Sequence, residues 1–127
     1  MCWQIAGAAG VADARLVVHV ERAQPKVVLP QRLGEGGGIH GCALADGDKP
    51  LIYMEDVGRH NAVDKIAGWM FDEQVSAADK LLYTTGRLTS EMVIKTALMG
   101  IPVLASRSGF TAWGVEIAKE VGLTLIG

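Results

Sequence analysis

The chain has 127 residues, half of them hydrophobic and 20% charged, with a formal net charge of −2, which predicts one globular domain with a real core and excludes a largely disordered chain. The small negative charge gives no support to a nucleic-acid or membrane-surface role. No apolar run reaches the roughly 20 residues that span a bilayer, and the first residues lack the positive region of a signal peptide, so we expect a cytoplasmic protein.

Residues 1–34 are the part that the sequence defines least. RLVVHV at 15–20 is typical of a strand, and the X-Pro pairs that follow favour an extended passage. A glycine-rich turn at 34–38 leads to a strand over 39–44. Asp46-Gly47-Asp48 then turns the chain into an apolar strand over 51–54 that we expect to be buried, which predicts a hairpin. We therefore divide the chain into an N-terminal segment, 1–34, and a core, 35–127.

Helices and strands alternate after the hairpin. The apolar spacing and the glycines that follow it predict helices over 59–71, 89–99 and 111–121, with Gly100 and Gly122 at the ends of the last two. Strands are predicted over 80–84, 103–105 and 123–126. This order, with short links, predicts an α/β domain in which parallel strands are covered by helices.

A polar cluster stands at each junction between an apolar strand and the following helix. The first lies in EDVGRHNAVDK, 55–65, where Gly58 suits a turn and Val63, Ile66 and Met70 form the apolar stripe of a helix. If the strands before the clusters are parallel, all three clusters lie at one edge of the sheet. The clusters are Glu55, Asp56, Arg59, His60 and Asn61; Thr84, Thr85, Gly86, Arg87, Thr89, Ser90 and Glu91; and Ser106, Arg107, Ser108 and Thr111.

Three arginines beside three helix starts favour an anionic ligand. A helix N-terminus contributes only about 0.3–1 kcal/mol, but charge-assisted hydrogen bonds from Arg59, Arg87 and Arg107 add roughly 1.5–3 kcal/mol each. Their sum approaches the roughly 8 kcal/mol of micromolar affinity. The acids Glu55, Asp56 and Glu91 have two open roles, which are to orient the arginines or to accept hydrogen bonds from a base such as guanine.

Simpler interpretations compete with this one. The hydroxyl side chains are also typical of helix caps. Polar residues at i,i+4 spacing are typical of solvated pairs on a helix surface, and the pair that contains a histidine is also compatible with an oriented catalytic base. The caps are Thr89 with Ser90 and Ser108 with Thr111; the pairs are Glu91 with Lys95, Asn61 with Lys65, and His60 with Asp64.

Two further alternatives, a Rossmann or P-loop nucleotide site and a zinc deaminase site, are excluded by the sequence. No G-x-G-x-x-G or G-x-x-x-x-G-K-[ST] follows a strand, so Rossmann and P-loop sites are not predicted. The order of elements also fits a zinc deaminase, but that chemistry requires H-x-E or C-x-E and P-C-x-x-C. The first helix begins Arg-His-Asn and the second Leu-Thr-Ser-Glu, so we expect the scaffold without zinc.

Five segments resemble the formate dehydrogenase accessory protein family, FdhD, over about residues 36–127. They are GGGIHGCAL, EDVGRHNAVDK, GRLTSEMVIK, GIPVLASRSGFT and VEIAKEVGLTLIG. The resemblance implies a three-layer αβα sandwich with a mixed, mostly parallel sheet, similar to cytidine deaminase. It implies a sulfur carrier that passes sulfur from a cysteine desulfurase to the molybdenum cofactor, bis(molybdopterin guanine dinucleotide), before that cofactor enters formate dehydrogenase. Homodimerisation is a further expectation from the family.

The chain departs from the family pattern at both ends. The family carries sulfur on a C-x-x-C upstream of the glycine-histidine stretch, whereas this chain has only Cys2 and Cys42. The family also continues past the last strand into a short basic segment. We therefore expect a core shortened at both ends, with neither cysteine catalytic and sulfurtransferase activity undecided.

The function expected from the sequence is that of a sulfur carrier for formate dehydrogenase. The alternatives are a non-catalytic nucleotide- or cofactor-binding chaperone and an inactive truncated form. The predicted cofactor-binding residues are His40, Glu55, Asp56, Arg59, His60, Asn61, Arg87, Ser90, Glu91, Arg107 and Ser108.

Overall fold

A computed structural model describes residues 38–127. Every helix and strand predicted within this range is confirmed, with ends that shift by at most two residues. The strand predicted at 15–20 and the glycines at 34–37 lie outside the described residues. The elements are β1 (His40–Asp46), β2 (Lys49–Asp56), α1 (Arg59–Asp72), β3 (Lys80–Thr84), α2 (Ser90–Leu98), β4 (Val103–Ser106), α3 (Ala112–Val121) and β5 (Thr124–Ile126).

The five strands form one mixed sheet in the order β2-β1-β3-β4-β5. β1 is antiparallel to both of its neighbours, and β3, β4 and β5 are parallel. β2 therefore runs in the same direction as β3 and β4, although β1 lies between them. The carboxyl ends of β2, β3 and β4 meet at one edge of the sheet, as predicted, and β1 begins at that same edge.

The core lies between the sheet and the helices. Leu44, Leu82, Leu104 and Leu125 form a cross-strand row on one face of the sheet, and buried side chains of α1, α2 and α3 join the same apolar cluster. Burying one such side chain contributes about 1.5–3 kcal/mol. Residues 38–127 thus supply the sheet and one helical layer of the predicted three-layer sandwich.

The first apolar strand differs from its prediction. We expected a buried strand over 51–54, but β2 is an edge strand in which Leu51 is exposed and Tyr53 and Met54 are half-buried. A continuous apolar run is equally compatible with a half-covered edge, because the pattern carries no information on strand order.

The start of α3 is fixed on the loop that precedes α2. Leu88 N donates to Gly109 O, and Thr111 N donates to Leu88 O. A Cβ at Gly114 would lie 2.7 Å from Leu88 O, so only glycine permits this approach. Gly122 ends α3 in the left-handed region, as predicted. The helices within residues 38–127 are each too short or too polar to cross a bilayer.

Two leucine substitutions test this core. Leu82 is fully buried and Leu98 is 83% exposed, so Leu82→Ala is expected to lower the free energy of unfolding by about 2–5 kcal/mol, and Leu98→Ala by no more than about 0.5 kcal/mol. Urea denaturation followed by circular dichroism measures both. Similar losses in the two variants would contradict the placement of the core.

Candidate functional site

Backbone and hydroxyl hydrogen bonds join β1 to the loop between β3 and α2. Thr85 N donates to Gly41 O at 2.9 Å, and Gly41 N donates to the hydroxyl of Thr85 at 3.0 Å. This reciprocal pair continues the β1–β3 ladder beyond β3. It holds His40, at the start of β1, beside the β3–α2 loop.

The β3–α2 loop is joined in turn to the loop between β4 and α3. The hydroxyl of Ser106 donates to Gly86 O at 2.6 Å, and that of Ser108 donates to Thr85 O at 2.6 Å. Because these bonds use backbone acceptors, both hydroxyls fix loop geometry and do not cap a helix. The predicted cap at Ser108 is therefore wrong.

Gly86 is the point where the polar clusters touch. A Cβ at this position would lie 3.0 Å from Cβ and Cδ of Arg59 and 3.5 Å from Nδ1 of His40. Arg59 and His40 therefore lie directly over Gly86, and the missing side chain makes room for them. Gly86 belongs to a predicted polar cluster but is not among the predicted site residues, because no local sequence pattern shows which side chains cross a loop.

The three arginines lack acidic partners. Within residues 38–127, no carboxylate lies within 4.0 Å of the guanidinium groups of Arg59, Arg87 or Arg107, whereas four of the five lysines in that range form ion pairs. The side chains of Arg87 and Arg107 are exposed, and that of Arg59 is half-buried. Positive charge at this edge is thus uncompensated by the described residues.

Two of the three helices begin at this edge without a side-chain cap. Gly58 and Thr89 occupy the N-cap positions of α1 and α2 and form no capping hydrogen bond, while Thr111 caps α3 by accepting from Gly114 N. The predicted cap at Thr111 is confirmed and that at Thr89 is wrong. The first N–H groups of α1 and α2, and their partial positive charge, are available to an anion.

Three buried polar atoms around these helix starts have no hydrogen-bond partner among the described residues. They are Nε of Arg59, Nδ1 of His60 and the hydroxyl oxygen of Thr89. Leaving a buried donor or acceptor unsatisfied costs about 1–3 kcal/mol. Buried polar atoms without a partner are uncommon in folded proteins, and a bound ligand, ion or water is one way in which their hydrogen bonds are completed.

Asp56 anchors the start of α1. Its carboxylate accepts from Gly58 N at 3.0 Å and from Nδ2 of Asn61 at 3.2 Å, and it pairs with Lys65 at 2.8 Å. The Lys65 ammonium, followed by these two hydrogen bonds, lowers the pKa of Asp56 to about 2. Asp56 therefore does not orient an arginine, and the predicted Asn61–Lys65 pair is replaced by contacts of both residues with Asp56.

The other two acids also have partners other than arginine. Glu55 accepts from the hydroxyl of Tyr53 at 2.8 Å, and strand alternation places both side chains on the sheet face away from the helices. Glu91 pairs with Nε2 of His60 at 3.0 Å. The prediction that Glu55, Asp56 and Glu91 orient the arginines is therefore wrong.

The i,i+4 pairs predicted within helices are replaced by pairs between helices. Lys95 of α2 binds Asp64 of α1 at 2.7 Å, not Glu91, and His60 binds Glu91, not Asp64. Both contacts cross from α1 to α2. Each of these four side chains therefore has its charged partner on the other helix.

The remaining predicted residues lie at the same edge with fewer contacts. Asn61 is exposed, and Ser90 is half-buried as the first residue of α2. Gly58 has φ −103° and ψ 123°, backbone angles that any residue adopts, so the turn does not require glycine for its angles. A Cβ there would instead lie 3.2 Å from Nδ2 of Asn61.

Cys42 lies in the core beneath the site and not in it. Its side chain is fully buried, and burial raises the pKa of the thiol to about 11, although a hydrogen bond with Thr84 acts in the opposite direction. The thiolate is the nucleophilic form. Cys42 is therefore an unreactive core residue, as its position in a strand predicts.

Fold and site together define a class: a cytidine-deaminase-like α/β protein with an arginine-bearing sheet edge. A dCMP deaminase from the cyanophage S-TIM5 shares the fold, with a TM-score of 0.54 and 15% identity over 68% of this chain and 78% of that chain. Within residues 38–127, no three histidine, cysteine, aspartate or glutamate residues are grouped to hold a metal ion.

The family follows from closer similarities. A crystal structure described as that of a formate dehydrogenase accessory protein from Desulfotalea psychrophila matches with a TM-score of 0.64 and 45% identity, over 69% of this chain and 39% of that chain. The sulfur carrier protein FdhD of Geobacillus kaustophilus (strain HTA426) is 43% identical over 91 residues, and that of Staphylococcus aureus (strain MRSA252) is 39% identical over 93 residues.

The model of the FdhD/NarQ family matches residues 13–127, and the chain belongs to this family. The match begins at residue 13, whereas the five segments that resemble the family in the sequence begin at about residue 36. The aligned regions cover 72–73% of this chain but 35% of each of these two relatives, so the chain spans about a third of their length.

Asp56 predicts a pH-dependent contribution to stability. Its pKa of about 2 lies below the value of about 3.9 in an unfolded chain, so the contribution is present above about pH 5 and is lost as the pH falls towards 2. The difference in unfolding free energy between wild type and Asp56→Asn is expected to shrink below about pH 4. Urea denaturation across pH measures it. Asp48→Asn, at an exposed turn, is the control, and a difference independent of pH would contradict the assignment.

Cys42 is expected to resist alkylation in the folded protein. With a pKa of about 11, its thiolate fraction at pH 8 is on the order of 0.1%, and burial blocks access. Peptide mass spectrometry after iodoacetamide treatment should find Cys42 unmodified in native protein and modified in denaturing urea. Rapid modification of native Cys42 would show that the thiol is accessible.

Proposed function

We propose that residues 38–127 form the cofactor-binding core of an FdhD-type sulfur carrier protein. The bound client is the molybdenum cofactor in its bis(molybdopterin guanine dinucleotide) form, which takes up sulfur before it enters formate dehydrogenase. The observation that carries the proposal is the set of three arginines at one sheet edge with no carboxylate partner within residues 38–127.

The charge of the site supports a pyrophosphate-bearing ligand. Arg87 and Arg107 come from two loops joined by hydrogen bonds, and Arg59, at the start of α1, lies over Gly86 of the first of these loops. α1 and α2 direct uncapped N–H groups to the same edge. Phosphate oxygens accept hydrogen bonds from both kinds of donor. A single helix N-terminus would not select such a ligand, whereas three guanidinium groups and two N-termini together favour two adjacent phosphates.

The unpartnered buried atoms support a ligand with further polar groups. Nε of Arg59 is a donor and the Thr89 hydroxyl is both a donor and an acceptor. If Nε2 of His60 donates to Glu91, Nδ1 accepts, and it matches an N–H or O–H donor of the ligand. Such a donor is present on the ribose and on the guanine base.

Sulfur transfer in this proposal uses two parts of the protein: the core binds the cofactor, and a separate cysteine thiol carries the sulfur. Cys42 is buried with a raised pKa, so we place the persulfide on a cysteine outside residues 38–127. In this scheme a cysteine desulfurase supplies the sulfur in the cytoplasm, formate dehydrogenase receives the completed cofactor, and the core holds the cofactor during transfer. The burial of Cys42 equally favours a second candidate, a non-catalytic cofactor chaperone.

Guanosine diphosphate, a fragment of the proposed client, tests the site by calorimetry. The wild type is expected to bind it in the micromolar range, and Arg87→Ala and Arg107→Ala are each expected to weaken binding by about 10- to 150-fold, since each removes one charge-assisted hydrogen bond of about 1.5–3 kcal/mol. Lys49→Ala is the matched control, because it removes an exposed positive charge at the β1–β2 turn.

No binding by a folded wild type, or equal losses in Lys49→Ala and the arginine variants, would refute the site. The two candidate functions are separated by incubating the chain with a cysteine desulfurase and cysteine. A mass increase of one sulfur atom on this chain supports the sulfur carrier, and unchanged mass with retained nucleotide binding supports the chaperone.

A further inference from the structure

An apolar groove of about 410 Å³ lies at the end of the domain opposite the site. Side chains of α1, the α1–β3 loop and α2 line it, among them Met70, Phe71, Val75, Leu98 and Met99. We name it the far-end groove. α1 starts at the site and ends here, so its 14 residues place the groove about 20 Å from the site at 1.5 Å per residue.

Two large apolar side chains of the far-end groove are almost fully exposed. Phe71 is 77% exposed and Leu98 is 83% exposed, although Met70, beside Phe71, is buried in the core. Adjacent exposed aromatic and aliphatic side chains are typical of binding surfaces. Met70 and Met99 give the groove flexible walls that adapt to an inserted side chain.

We assign two exposed acids, Asp72 and Glu73, to the rim of the far-end groove, because they lie in the chain between its lining residues Phe71 and Val75. Asp72 and Glu73 stand at the carboxyl end of α1, which has no basic residue in its last turn. Acidic residues at a helix C-terminus are unfavourable because the helix dipole is negative there. Within residues 38–127, neither Asp72 nor Glu73 forms an ion pair, and Lys80, which follows the same loop, is buried and held by Asp46 and Asp79. The rim therefore carries negative charge that helix stability does not explain.

We propose that the far-end groove docks a basic amphipathic helix of a partner protein. A large apolar side chain of that helix enters between Phe71 and Leu98, and its lysine or arginine side chains pair with Asp72 and Glu73. Helices bind apolar grooves in this way through anchors at helical spacing. The proposal does not rest on the proposed cofactor site, because the two surfaces lie at opposite ends of α1.

The test uses two labelled helical peptides of about 15 residues, a length at which an isolated helix becomes marginally stable. One contains only leucine and lysine and the other only leucine and glutamate, in the same pattern. Fluorescence anisotropy with the full chain is expected to show binding of the lysine peptide and at least about tenfold weaker binding of the glutamate peptide, a difference of 1.4 kcal/mol.

Three variants locate the binding surface. The double variant Phe71→Ser, Leu98→Ser is expected to bind the lysine peptide at least about tenfold more weakly than the wild type. The double variant Asp72→Lys, Glu73→Lys is expected to bind the glutamate peptide more tightly than the lysine peptide. Trp113→Ser, which removes a side chain that is 70% exposed on α3, should leave binding unchanged. Melting temperatures close to that of the wild type in all variants exclude unfolding as the cause.

Three results would overturn the proposal. Equal binding of the two peptides would show that the acidic rim does not select a basic helix. Equal losses in Trp113→Ser and in the Phe71 and Leu98 variant would show unspecific adhesion. No binding to the wild type, including the case in which the chain's own residues fill the groove, would show that it is not open to a partner.

Discussion

The common direction of β2, β3 and β4 is the constraint on which the site depends. Because β1 is inserted antiparallel between β2 and β3, the chain leaves each of the three strands at the same edge, and every helix begins there. The positive ends of the helix dipoles therefore point to one edge and the negative ends to the other. Three guanidinium groups stand at the positive end, and the acidic rim of the far-end groove stands at the negative end.

The chain shares a fold with a dCMP deaminase, but the starts of α1 and α2 lack the zinc deaminase motifs. In those enzymes H-x-E and P-C-x-x-C segments hold a metal ion. Here α1 begins Arg-His-Asn, and His60 reaches across to Glu91 at 3.0 Å. A direct ion pair thus joins the starts of the two helices. Arg59 lies over Gly86 at the same edge, where the proposed site would use its guanidinium group to donate hydrogen bonds to an anion.

Much of the fold was predictable because local signals determine it. Apolar spacing and the glycines at 100 and 122 located the helix ends, and the order of the elements indicated one edge for the polar clusters. The partners of charged residues were not predictable. Glu91 with Lys95, and His60 with Asp64, are spaced for pairs within one helix, but their side chains pair between α1 and α2 instead. Asp56 likewise forms its ion pair with Lys65 and not with an arginine. Gly86 contributes to the site because the side chain of Arg59 packs over it. Such contacts depend on strand order, which no short stretch of sequence encodes.

We infer that the loops after β2, β3 and β4 form one site. A titration of ¹⁵N-labelled protein with guanosine diphosphate, followed by amide chemical shifts, tests this inference. A shared site predicts that amides at 58–61, 85–91 and 107–109 shift together with a single dissociation constant, while those around Phe71 and Leu98 do not. Shifts confined to one loop, or different dissociation constants for different loops, would contradict a shared site.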